Sequence, residues 1–314
     1  MPVPECQAAS ASVSEVRLEA MIVKVFGDES ADQAGARVFA VCGVIGVEDE
    51  WAAAKEAWTN RTGGKEFHAA ECESEYAYDP RSAEHQENLN LYRDLTQVIA
   101  RSTLDGIGVA LDLGAHRELF GESLLDLGYY RCLAEVLDLL TAWAKNNNEC
   151  CRPEETVMLE FTFDNRIQSN GNAGNLYSTF INQPELKEIV ESTLDSKISF
   201  DCRINPRIQI ADLLAHETMK ELDRLITRNP PVQRRSYQAL NETDRFTFLY
   251  RDRGYCQEWK ANREKIEADS GMNASDYVDW MIETGRVQDG KVHDNWTNRF
   301  LYQDWRNRLK SRNA

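Results

Sequence analysis

Five short runs rich in β-branched and aromatic residues, with stretches long enough for helices between the later ones, constrain this chain more than any other feature. The runs are 21–27, 36–47 (A-R-V-F-A-V-C-G-V-I-G-V), 104–113 (L-D-G-I-G-V-A-L-D-L), 156–163 and 196–202, and their composition is that of strands. Helical patterns fall at 49–59, where Trp51 and Trp58 lie seven apart on one face, and at 84–101, where Leu91, Leu95, Val98 and Ile99 form an apolar stripe. Further helical patterns occupy a leucine-rich stretch at 122–145, a broken stretch at 174–192 around Pro184, and 207–223. The order β-β-α-α-β-α-β-α-β-α predicts an α/β fold whose last strands, joined by crossovers, run parallel. Beyond residue 225 the pattern turns helical and aromatic. The expected layout is a polar, disordered extension over 1–20, an α/β core over 21–225 and a helical C-terminal extension over 226–314. Met21, directly before the first strand, is a candidate natural start.

With 314 residues, 42% of them hydrophobic, the chain can bury a sizeable core. It holds no run of 18 apolar residues, so no membrane span is expected. The first 20 residues lack the basic start and apolar stretch of a secretory signal. Eight cysteines are scattered without a C-x-x-C pair. Cys42 and Cys202 in predicted strands and Cys132 in a predicted helix suit small buried residues, and the expectation is reduced thiols in a cytoplasmic protein. The net charge of −16 disfavours a protein that binds by neutralising many phosphates over its whole surface. Locally the balance reverses, with seven arginines against three acids over 224–253. A second basic cluster lies at 297–314.

Several carboxylates sit where predicted elements begin or end. Asp28 and Glu29 close the first strand in K-V-F-G-D-E-S, Asp164 closes the fourth in M-L-E-F-T-F-D-N, and Asp212 opens a helix in I-Q-I-A-D-L-L-A. In an open α/β sheet such positions meet at one edge. Oxygen-only ligands suit Mg²⁺ or Mn²⁺ better than zinc, and ions so held can clamp a phosphodiester. Asp28, Glu29, Asp164 and Asp212 are the expected metal ligands. Asp at a strand end is also a common turn residue. Asp212 is embedded among Ile208, Ile210, Leu213 and Leu214, where a charge needs a partner; His216 stands one turn later on the same face. In K-E-F-H-A-A-E a strand would put Glu66 and His68 on one face, as orienting or catalytic groups. Asp112, at the end of the third strand, is a spare carboxylate. No P-loop, G-x-G-x-x-G or G-x-S-x-G motif occurs.

D-E-S after the first strand, E-F-H-A, F-D-N-R and I-Q-I-A-D-L-L-A together resemble the domain of unknown function 3800 family, over roughly residues 21–222. That family is grouped with ribonuclease H-like folds. The resemblance implies a mixed five-stranded sheet flanked by helices and a carboxylate site of the metal-dependent nuclease type. On it Asp28, Asp164 and Asp212 match the acids, Glu29 matches the second letter of D-E-S, and Glu66 with His68 match the short E-x-H-A element. Ala31 stands where the family often has glycine, and a further ligand is open among Glu122, Asp126 and Glu135. The expected activity is divalent-metal-dependent cleavage of nucleic acid. The alternatives are a hydrolase of nucleotides or small phosphate esters, and a non-catalytic binding or assembly module on the same fold. In the latter, Trp259, Trp280, Trp296 and Trp305 of the extension would meet a protein partner or a second copy.

Overall fold

The run V-F-A-V-C-G-V-I-G (38–46) is apolar without alternation, the mark of a strand covered on both faces. The computed structural model describes residues 19–32, 37–74, 82–120, 125–150, 155–165, 193–270, positions 174, 177, 178 and 181, and the pairs 287–288 and 291–292. Along these the elements are β1 (Glu19–Ala31), β2 (Val38–Gly46), α1 (Glu48–Thr62), α2 (Ala69–Ser74), α3 (Ala83–Arg101) and β3 (Asp105–Asp112). They continue with α4 (Leu113–Phe120), α5 (Leu125–Cys150), β4 (Glu155–Asp164), β5 (Leu194–Asp201), α6 (Pro206–Thr227), α7 (Arg235–Asn241), β6 (Phe246–Arg251) and α8 (Arg253–Ser270). A two-residue pair, β7 (Val287–Gln288) and β8 (Lys291–Val292), stands apart.

The main sheet has six strands in the order β5-β4-β1-β2-β3-β6. β1–β2 and β2–β3 are antiparallel, whereas β1–β4, β4–β5 and β3–β6 are parallel. The fold is therefore α/β with a mixed sheet flanked by helices. Alternation divides the core in two. Val25, Val41, Val109 and Phe161 pack with Leu133 and Leu137 of α5 on one face. Phe26, Val44, Trp51, Trp58, Leu95 and Leu213 pack on the other, beneath α1, α3 and α6.

Local chemistry sets α6. The Asn205 side chain accepts the Arg207 N–H at 3.0 Å as N-cap, and Pro206 occupies the first turn. From Ile208 to Met219 every residue is buried, because α6 lies between the sheet and α1, α2 and α7. Its approach to the sheet is close: a Cβ on Gly108 of β3 would stand 2.5 Å from Thr218 Oγ1 and 2.8 Å from Cys42 Sγ. Only glycine leaves that room.

Several expectations change. The C-terminal segment expected to be helical supplies β6. F-T-F-L-Y-R alternates for only six residues and includes Thr247 and Arg251, so it forms no apolar run; pairing with β3 makes it a strand. The sheet thus has six strands rather than five. β1 begins at Glu19, inside the expected extension, and residues 1–18 lie outside the described residues. K-E-F-H is not a strand; it leads into α2. Cys202 follows β5 and is exposed rather than buried, while Cys42 and Cys132 are buried. The 174–192 stretch falls almost wholly outside the described residues, as do Trp280, Trp296 and Trp305. No described helix is long and apolar enough to cross a membrane.

Candidate functional site

Strand register assembles the site. The parallel pairing of β1 with β4 runs to Gly27↔Phe163, so the next residues, Asp28 and Asp164, stand side by side. Asp164 is in turn the register partner of Asp201. Three aspartates therefore form a row across β1, β4 and β5, at a strand spacing of about 4.8 Å. Phe161 and Phe163 face α5, so Asp164 faces the α6 side; Phe26 packs beneath α6, so Asp28, two residues on, does the same. Asp28 is 2% and Asp164 8% exposed. Asp28 Oδ1 accepts the Glu29 N–H at 2.7 Å.

Glu29 does not join them. β1 continues past Asp28 to Ala31, and Glu29 pairs with Val41, a residue of the α5-side core. Neighbours along a strand point to opposite faces, which removes Glu29 from the expected ligand set.

Asp212 arrives from above. In α6, the Arg207 guanidinium lies 5.2 Å from the Phe26 ring centre, and His216 Nδ1 is 3.4 Å from Ser30 Oγ. Asp212 falls between these positions, over the Asp28 stretch of β1. Its Oδ2 accepts the Ala69 N–H at 2.7 Å, capping the start of α2 from a distant part of the chain. Its Oδ1 is 3.8 Å from His68 Nε2. His68 Nδ1 accepts the Glu71 N–H at 3.3 Å, which assigns the ring proton to Nε2, facing Asp212. Asp212 and His68 are thus brought together. Glu66 is exposed on the coil before α2, while its neighbour Phe67 is buried against Trp58.

Two of the remaining candidate carboxylates, Asp112 and Glu135, have structural partners. Asp112 Oδ1 accepts the Ala115 N–H at 2.8 Å and starts α4. Glu135 lies on the α5 side, held by Arg131 at 2.6 Å, Arg251 at 2.5 Å and the Tyr255 hydroxyl at 2.8 Å. That leaves it across the sheet from the aspartate row. Glu122 and the Asp126 side chain lie outside the described residues. Asp201 was not among the expected site residues, although F-D at 200–201 repeats the F-D that ends β4.

Among the described residues, no group of three or more His, Cys, Asp or Glu side chains is arranged to hold a metal ion. The expected site residues form two pairs instead, the carboxylates of Asp28 and Asp164 on the strands and the carboxylate of Asp212 with the imidazole of His68 between α6 and α2. An all-protein cage therefore does not fit. Two oxygen donors side by side do suit Mg²⁺, which keeps several waters and binds through one or two carboxylates plus a substrate phosphate. Burial pushes the nearby Cys42 thiol up to about 12, so it stays a protonated, unreactive neighbour.

No protein-family model matches the chain, and no curated protein is significantly similar to it. The family resemblance accordingly rests on the sequence motifs alone.

Proposed function

We infer that the chain is a divalent-metal-dependent phosphodiesterase acting on nucleic acid. The observation that carries this reading is the register that sets Asp28 beside Asp164 on one buried face. Two carboxylates so close repel one another unless a cation or a proton intervenes. In this reading Asp28 and Asp164 hold one Mg²⁺ or Mn²⁺ ion, which when bound neutralises phosphoryl charge and acidifies water. Asp212 orients His68 through the 3.8 Å approach to Nε2. His68, at 12% side-chain exposure against 6% for Asp212, is the member of that pair able to exchange a proton with solvent. The ribonuclease H-like assignment belongs to the same reading: it takes the first five strands as the shared sheet and β6 as an added edge.

One observation favours a second reading, a non-catalytic binding module: three ligands do not converge among the described residues, and Asp212 spends an oxygen on Ala69. The experiment that separates the two is a thermal and calorimetric titration with Mg²⁺ and Mn²⁺ on wild type, Asp28→Asn and Asp164→Asn. The expected result is heat of binding and a raised Tm in wild type only, with metal-free Asp28→Asn at least as stable as metal-free wild type. Equal Tm shifts in all three proteins would remove the metal site.

A further inference from the structure

A cavity of about 450 Å³ opens beside the aspartate row. Lys55 of α1, Asp201 at the end of β5, and Ile204, Asn205, Pro206 and Arg207 around the start of α6 line it. Spaces of this size accommodate small ligands or parts of larger ones. Two observations tie the cavity to the candidate site. Asp201 is the register partner of Asp164, and Arg207 packs over Phe26, which precedes Asp28 by two residues on the same face.

The polar groups sort by sign. Lys55 is exposed and forms no ion pair among the described residues. Arg207 is bonded to Glu48, but Glu48 is shared with Lys24 at 2.7 Å, so two cations meet one carboxylate and positive charge is left over. Lys24 first, and Arg207 second, hold the Glu48 carboxyl below its ordinary range. Asp201 is turned into the loop: its Oδ1 accepts the Cys202 N–H and its Oδ2 the Asn205 amide, each at 2.7 Å. Asn205 also takes up the first N–H groups of α6, from Arg207 and Ile208, both at 3.0 Å. Anion binding here falls to the side-chain cations rather than to the helix end. Ile204, 72% exposed, and Pro206 give the cavity an apolar lip.

We propose that this cavity seats the phosphate and nucleoside next to the scissile phosphodiester of a nucleic-acid strand. Lys55 and Arg207 hold that phosphate, and Ile204 with Pro206 packs against the nucleoside. The assignment rests on the phosphodiesterase reading and narrows it, because a small phosphate ester has no second phosphate to occupy the cavity.

The test pairs two measurements on the full chain. Fluorescence anisotropy with Ca²⁺ in place of Mg²⁺ follows binding of labelled single-stranded DNA and RNA of one sequence to wild type, Lys55→Glu and Lys55→Arg. Hydrolysis of bis(p-nitrophenyl) phosphate with Mg²⁺ or Mn²⁺ is followed on the same proteins. Lys55→Glu should weaken binding of at least one strand by about tenfold or more, the equivalent of one charge-assisted contact. Lys55→Arg should bind like wild type, and Lys55→Glu should lose more in strand binding than in hydrolysis of the small ester. Which strand responds tells DNA from RNA. Equal affinity in wild type and Lys55→Glu for both strands, absence of binding included, overturns the subsite. If the strand effect is present but wild type hydrolyses neither the ester nor the strand with Mg²⁺ or Mn²⁺, the cavity is a strand-binding site and the phosphodiesterase reading falls.

Discussion

His116 is 1% exposed, and neither ring nitrogen has a hydrogen-bond partner among the described residues. The ring stacks on Trp259 at 5.7 Å and meets Phe120 at 4.9 Å, while the Arg131 guanidinium lies over the far aromatic at 4.8 Å. Burial, and then the Arg131 cation, push its pKa down to about 4 from an ordinary 6.5. The folded protein therefore holds the imidazole neutral where the unfolded chain protonates it. Between pH 6.5 and 4 the unfolded state binds more protons, so stability falls as pH falls through that window and levels off below it. A shift of this size corresponds to roughly 3 kcal/mol at most. His116→Phe, which keeps the stack and removes the titration, should lose less stability than wild type between pH 6.5 and 4 in denaturant unfolding. Parallel pH profiles for the two proteins would show that His116 is not what titrates. Of the site residues, Asp28 and Glu29 were not told apart, because the first strand was expected to end at residue 27 and its continuation to Ala31 is what puts the two on opposite faces. The pairing of Asp28 with Asp164 was not legible either, because register between segments more than a hundred residues apart is a property of the folded sheet.

At the scale of elements, α6 carries the most information and depends on one tight contact. Gly108 lets β3 come against Thr218 and Cys42, where an added methyl would stand 2.5 Å from Thr218 Oγ1. Gly108→Ala should cost about 1–3 kcal/mol by overpacking. Adding Thr218→Ala should recover part of that cost, a non-additivity readable in a double-mutant cycle by urea unfolding. Strictly additive losses would place the strain elsewhere. α6 was legible in the sequence because its own residues specify it: Asn205 and Pro206 start it, and the all-round apolar run buries it. α2 was misread for the opposite reason. Its first N–H is capped by Asp212, 143 residues away, and the apparent alternation of K-E-F-H comes from one aromatic anchor, Phe67. β6 was missed because a six-residue edge segment with Thr247 and Arg251 takes its strand character from hydrogen bonds to β3.

For the whole molecule, the question is whether a chain of net charge −16 presents enough positive surface to bind a strand along its length. The arginine-rich stretch 224–253 suggests one, but folding brings acids from outside the stretch against it. Arg224 pairs with Glu221, Arg234 with Glu217, Arg251 with Glu135 and Arg253 with Glu118. These four acids match the excess of four positive charges counted along the sequence, so the stretch offers little free charge. The cluster at 297–314 lies outside the described residues. If the strand is held chiefly by Lys55 and Arg207 on one phosphate, only about one phosphate is neutralised by side chains. Binding constants for single-stranded oligonucleotide should then fall with salt at a slope of about −0.7 in log–log form. A slope of about −4 or steeper, measured by anisotropy across a NaCl series, would mean that a broad basic surface takes part. A shallow slope leaves discrimination to the aspartate row and its cavity, because a surface this negative repels any part of the strand that those two features do not hold.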